Sequence, residues 1–266
     1  PTSVSADHDV SKWVKQGTPT EADKVIVPGS DIIDFDVTGS DGEVIYAIGT
    51  WYDSCHNVWS DEPGPNDLYT EYHHPKLWRS TDGGVTWDDQ TSKVTGATNL
   101  PDLGGDGFDI TFFAAVAAAP DDEDFVVVAG WGYDGAEYVP VVVGSDDGAD
   151  KFYYMGCPTT TGMITSVDVS MEIDGEHSIA IGTWDWVNEG GTDYSAENAK
   201  VWRFDAGGYW TSYWTEASAY PGWEPCAAVI DLEFSPNFDV DDSIMVLCID
   251  HVNGTNFDAA WEDNDE

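Results

Sequence analysis

Tyr46-Ala47-Ile48-Gly49-Thr50-Trp51 is a phrase that this chain says more than once. It returns as Val126-Val127-Val128-Ala129-Gly130-Trp131, as Ile179-Ala180-Ile181-Gly182-Thr183-Trp184, and in diverged form as Met245-Val246-Leu247-Cys248-Ile249-Asp250. Each copy follows an earlier strand-like run: IIDFDV (32–37), ITFFAAVAAA (110–119), ITSVDVS (164–170) and VIDLEFS (229–235). A turn-rich acidic stretch, such as Thr38-Gly39-Ser40-Asp41-Gly42-Glu43, separates the two runs. A third run then appears, KLWRS (76–80), YVPVVVGS (138–145) or KVWRF (200–204). An aromatic fourth follows it: VTW (85–87), KFYYM (151–155) or YWTSYW (209–214). The repeated unit is a four-stranded antiparallel meander.

The copies recur at uneven intervals of several tens of residues, the scale of a propeller blade with loops of variable length. Runs such as VVVAGW and IMVLCI are apolar on both faces, as strands sandwiched between neighbouring sheets are. The Ala-rich run at 110–119 has helical propensity. Its place in the repeat, and Pro120 directly after it, predict a strand instead. The expected class is all-β, a whole or partial β-propeller of four-stranded antiparallel blades. Residues 1–30 form an extended N-terminal segment with a strand candidate at Lys24–Val27. Residues 31–266 carry the repeats, at about 31–95, 108–156, 164–215 and 227–266.

One joint of the repeat has a chemistry of its own. Ser80-Thr81-Asp82-Gly83-Gly84-Val85-Thr86-Trp87 fits S-x-D-x-G-x-T-W at every position. Asp82 is placed to accept backbone N–H groups across a tight turn, the glycines permit positive φ, and Trp87 packs beneath. Degraded copies run through Asp147 to Phe152 and through Asp205, Gly207 and Trp210. These segments resemble the Asp-box (BNR) repeat of sialidase-like and sortilin-like β-propellers, over roughly residues 31–250. In that family the box is a 3–4 turn on the face opposite the usual binding face. The resemblance therefore makes Ser80, Asp82, Gly84, Thr86 and Trp87 staples rather than catalysts. The acidity and aromatic richness resemble Asp-box propellers of microbial cell surfaces, including S-layer-like ones.

Charge excludes several classes. With 51 Asp and Glu against 9 Lys and Arg, the net charge is −42. A nucleic-acid binder needs cations to displace counterions, so no nucleic-acid partner is expected. The longest apolar runs are far below the roughly 20 residues of a spanning helix, so no transmembrane segment is expected. Yet 41% apolar content, with 13 Trp, 12 Tyr and 10 Phe, belongs to a folded chain. Carboxylates crowd at Asp121, Asp122 and Asp124 and at Asp239, Asp241 and Asp242. They call for cations: dissolved salt, a basic partner, or Ca²⁺ held by oxygen ligands from separate loops, since no segment matches the EF-hand spacing.

Four cysteines without CxxC spacing make zinc or thioredoxin-like chemistry a weak reading. Cys226 and Cys248 lie in neighbouring strands of one repeat and are a disulfide candidate, leaving Cys55 and Cys157. Asn253-Gly254-Thr255 is a glycosylation sequon. The chain opens at Pro1 with no Met and no charged-then-apolar leader, as a processed or trimmed product does. Together these predict an extracellular or cell-surface location.

A binding face is expected opposite the Asp boxes, in the insertions 53–74 and 185–198 and the links between repeats. Trp59, Tyr69, Tyr72, Trp186, Tyr194 and Trp223 there suit stacking on sugar rings or packing of their own loops. His73 and His74 are neighbours in extended chain and point apart, which disfavours a shared metal. The sialidases of the resembled family hold a substrate carboxylate with three arginines. This chain has two, Arg79 and Arg203, each directly after a third-strand Trp, so that clamp is not available. A glycosidase using two carboxylates is left open, with no pair nominated. The expected function is a non-catalytic extracellular structural protein. It would assemble with copies of itself into a surface layer or filament, neutralised by Ca²⁺ or salt. The alternative is a propeller module that binds a glycan or a protein.

Overall fold

The computed structural model describes residues 31–39, 42–52, 73–100, 109–133, 138–156, 163–190, 193–206, 215–217 and 226–250. They form a nearly all-β architecture in which, within each sheet, each strand pairs antiparallel with the next in sequence. Sheet one holds β1 (Asp31–Thr38), β2 (Val44–Tyr52), β3 (His73–Ser80) and β4 (Asp88–Asp89), followed by a one-turn helix α1 (Thr91–Thr95). Sheet two holds β5 (Asp109–Ala118), β6 (Val126–Tyr133), β7 (Tyr138–Ser145) and β8 (Tyr153–Gly156). Sheet three holds β9 (Met163–Val169), β10 (His177–Gly190), β11 (Asp193–Ala206) and β12 (Thr215–Glu216). Sheet four, among the described residues, holds β13 (Cys226–Phe234) and β14 (Ile244–Asp250), with a short helix α2 (Phe238–Asp241) between them.

The sheets pack face to face in chain order, and three apolar layers fill the gaps. The first layer sets Tyr46, Ile48 and Leu77 of sheet one against Phe113, Val116, Val126, Val128 and Phe152 of sheet two. The second sets Ala115, Ala117, Val127, Ala129 and Val142 against Val167, Val169, Ile179, Ile181 and Phe204 of sheet three. The third sets Ala180, Ala199 and Val201 against Val229, Leu232, Phe234 and Phe238. Strand β6 shows why its sequence is apolar throughout. Val126 and Val128 enter one layer, while Val127 and Ala129 enter the next.

The Ala-rich run is strand β5, paired with β6 along its length. Small side chains suit it, because Ala115 and Ala117 fill one layer while Phe113 and Val116 fill the other. The glycine of the recurring phrase also has a steric reason. A Cβ on Gly130 would stand 2.0 Å from the Phe112 carbonyl oxygen, where β5 shifts register against β6.

Two expectations are corrected. The fourth strand of sheet one is Asp88–Asp89 rather than 85–87, and that of sheet two starts at Tyr153 rather than at 151. In both, the preceding amides are taken by a turn carboxylate, so ladder pairing is delayed. The insertion at 185–198 is not a loop over most of its length. Strands β10 and β11 continue their ladder through it, pairing Asp185 with Glu197 and Asn188 with Tyr194. Helices α1 and α2 are additions that the strand pattern does not announce.

Candidate functional site

Three constructions of polar side chains hold the sheets together, and each grows from a short motif. In the turn after β3, the Ser80 hydroxyl donates to Asp82 Oδ1 at 2.9 Å and accepts the Gly84 N–H at 2.9 Å. Asp82 Oδ1 accepts the N–H groups of Val85 and Thr86 at 3.0 and 2.8 Å, and Oδ2 accepts the Thr86 hydroxyl at 2.7 Å. Bonds to the charged form, those from Thr86 first, hold the Asp82 carboxyl at about 2, below the usual range. The turn after β7 repeats the network with other residues. Ser145 Oγ donates to Asp147 Oδ1 at 2.9 Å and accepts Ala149 N–H at 3.0 Å, and Asp147 Oδ1 accepts Lys151 N–H at 2.9 Å. Phe152 is buried where the first copy has the half-buried Trp87. Each turn also docks on the turn between the first two strands of its own sheet, Gly83 N–H on Glu43 O and Gly148 N–H on Asp124 O.

The second construction is an arginine clasp between sheets. Arg79 at the end of β3 donates to Gly148 O at 2.7 Å and to Asp124 Oδ1 at 3.0 Å, both in sheet two. Arg203 of β11 donates to Asp242 Oδ1 at 2.8 Å, in sheet four. Asp124 and Asp242 both stand two residues before the second strand of their sheets, so the two clasps are equivalent. Gly148, at φ 72°, is required here: a Cβ would lie 2.5 Å from the Arg79 guanidinium.

The third construction lies along the first strands. Asp34 Oδ2 accepts Val116 N–H at 3.0 Å and Asp36 Oδ2 accepts Ala118 N–H at 2.7 Å, tying β1 to β5. Asp168 Oδ2 accepts Phe234 N–H at 2.6 Å, tying β9 to β13. Thr165 adds a hydroxyl donated to Val229 O at 2.7 Å. Burial raises the Asp34 and Asp36 carboxyls above their ordinary range and pushes Asp168 up to about 7. A carboxyl near 7 has the acidity a general acid uses. Its Oδ2 is here given to the Phe234 amide, which ties β9 to β13. These acids were not singled out in the sequence, although D-F-D and V-D-V inside apolar strands are the pattern that marks them.

The acidic runs do not gather into a cation cage. Asp121 Oδ2 accepts Glu172 N–H, Asp122 Oδ1 accepts Asp124 N–H, and Asp124 and Asp242 sit in the clasps. Asp241 accepts the Ser235 hydroxyl and the Ser243 N–H, and Asp239 lies exposed in α2. Among the described residues no three His, Cys, Asp or Glu side chains converge on a metal-sized position, and no helix is long and apolar enough to cross a membrane.

Cys226 and Cys248 are joined by a disulfide between β13 and β14, with Cα atoms 5.7 Å apart. Cys55, Cys157, Asn253, Trp59, Tyr69, Tyr72, Trp223, Gly207 and Trp210 lie outside the described residues, as do the side chains of Asp205, Trp186 and Tyr194.

No protein-family model matches the chain, and no curated protein matches it. Among solved structures it is similar to the GH74 enzyme of Niastella koreensis, with a TM-score of 0.33 and 14% identity over 80% of this chain and 39% of that one. It is also similar to the GH74 xyloglucanase from Xanthomonas campestris, with a TM-score of 0.27 and 12% identity over 82% of this chain and 43% of that one. The chain thus spans about two fifths of the length of each.

Proposed function

We propose that the four sheets are blades of a β-propeller, whole or partial, with Asp boxes as the staples of its 3–4 turns. On this reading the chain is a non-catalytic structural protein of the extracellular or cell-surface space. It assembles with copies of itself into a layer or filament, with Ca²⁺ or dissolved salt neutralising its charge. The observation that carries the reading is that both end sheets of the stack present apolar side chains to solvent: Phe35 and Val37 on one, Leu247 and Ile249 on the other. Apolar patches of this kind on a soluble protein mark interaction surfaces. The Cys226–Cys248 disulfide supports an oxidising compartment. A net charge of −42 opposes association until cations screen it.

Light scattering across a series of KCl and CaCl₂ concentrations tests the reading. The mass rises above that of one chain as cations are added, and EDTA or low ionic strength reverses it. A particle that stays strictly monomeric in both millimolar Ca²⁺ and molar KCl overturns it.

A further inference from the structure

Two of the three seams between neighbouring sheets carry an arginine at a fixed place. The residue near the end of each third strand that faces the next sheet is Arg79 in sheet one, Gly144 in sheet two and Arg203 in sheet three. The acceptor stands two places before the second strand of the next sheet: Asp124 for Arg79, and Asp242 for Arg203. In sheet three that place belongs to Gly175. Glycines at both places mean that an arginine clasp cannot form between sheets two and three.

His177, the first residue of β10, reaches across that seam from the other side. It is 5% exposed, and its ring lies against Phe125 with centroids 4.4 Å apart. Nδ1 is 3.0 Å from Ser170 O. A carbonyl oxygen only accepts, so Nδ1 carries the hydrogen of the neutral ring and Nε2 is left as a bare acceptor. Nε2 faces Asp122 Oδ2 at 3.8 Å, and Asp121 Oδ1 is 4.0 Å from Nδ1. Asp121 already ties the seam through Oδ2, which accepts Glu172 N–H at 3.0 Å. Two acceptors thus face each other at a separation about 1 Å too long for a hydrogen bond. A proton on Nε2 turns the pair into a donor and an acceptor, and makes the attraction charge-assisted.

We infer that His177 is the clasp of the seam between sheets two and three, closed onto Asp122 when its ring takes up a proton. Arginine holds its charge throughout the range in which the protein folds, whereas imidazole gains its charge between pH 8 and pH 5. Two seams are therefore fastened permanently and the middle one conditionally. The Phe125 ring favours the same cation. The remaining charges around His177 are otherwise placed. Asp124 is held by Arg79, and Glu123 Oε2 lies 3.3 Å from where a Cβ of Gly39 would stand, against sheet one. Glu172, Asp174 and Glu176 on the turn before β10 are exposed, and β11 pairs Ala206 with His177. This clasp is independent of the self-assembly reading above.

Urea unfolding of the 266-residue chain, Asp122→Asn, His177→Gln and the double variant is compared at pH 5 and pH 8. At pH 5 the loss of Asp122 is expected to lower the folding constant roughly tenfold more with His177 present than with Gln in its place. At pH 8 the two backgrounds give the same change. Asp168 titrates in this window too, but every variant keeps it, so it cancels in the cycle. No coupling at pH 5 overturns the clasp, and coupling of equal size at both pH values overturns its dependence on the proton. If His177→Gln is too unstable to unfold reversibly, hydrogen exchange at the Glu172 amide decides, corrected for the intrinsic rate. Its protection in the unaltered chain relative to Asp122→Asn is larger at pH 5 than at pH 8, and a ratio that does not change with pH overturns the clasp.

Discussion

Asp168 sits in the middle of a packed strand, where a carboxylate persists only if its oxygens are satisfied. Phe234 N–H satisfies one of them at 2.6 Å. The cost remains visible in its titration. The group loses its proton near 3.9 in an unfolded chain and at about 7 in the folded one. Between those values the folded state holds a proton that the unfolded state has released. Stability therefore falls as pH rises from about 4 to about 7, and is level above that. The half-buried Asp34 and Asp36 carry the same sign. Asp168→Asn keeps an oxygen for the Phe234 amide and removes the charge. Urea unfolding at pH 4.5 and pH 8 is expected to show a smaller difference for Asp168→Asn than for the unaltered protein. An equal difference in both proteins would remove Asp168 from the account. Asp82 has the opposite sign: its stabilisation is present above the ordinary carboxylate range and fades as pH falls toward about 2.

At the scale of elements, sheet four is the least supported. Among the described residues it has two strands, and two-stranded sheets are marginal on their own. Its disulfide closes a loop with a sequence separation of 22, for which chain entropy gives about 3 kcal/mol. Cys248→Ser is expected to lower the unfolding free energy by roughly that amount, measured by urea denaturation without reductant. A loss near zero would mean that packing of Leu232 and Phe234 alone holds the sheet. The strands themselves were readable because each core position is apolar in a repeated order, and the phrase at 46–51 recurs nearly unchanged. Their ends were harder to read. Whether the fourth strand starts at Trp87 or Asp88 depends on which acceptor wins the Thr86 amide, and Asp82 wins it through hydrogen bonds that periodicity does not encode. The Ser80–Trp87 stretch was legible as a tight turn with Asp82 accepting amides across it. The ties made by Asp34, Asp36 and Asp168 were not, because an acid in a strand reads as solvent-facing until the neighbouring sheet is in place.

Over the whole molecule, positive charge is scarce, and both arginines are spent at the seams. Both arginines reach out of their own sheet, to Asp124 and to Asp242, each bridging to the next sheet it touches. Among the described residues, sheets two and three pack against a sheet on both sides, while sheets one and four do so on one. In such a repeat array each member is stabilised chiefly by its immediate neighbours. Loss of order should then begin at the outermost members and travel toward the middle. Under native conditions, amide protons of β6 and β10 should outlast those of β1 and β14 in hydrogen exchange, and simultaneous release from all four would mean that the stack opens as one unit.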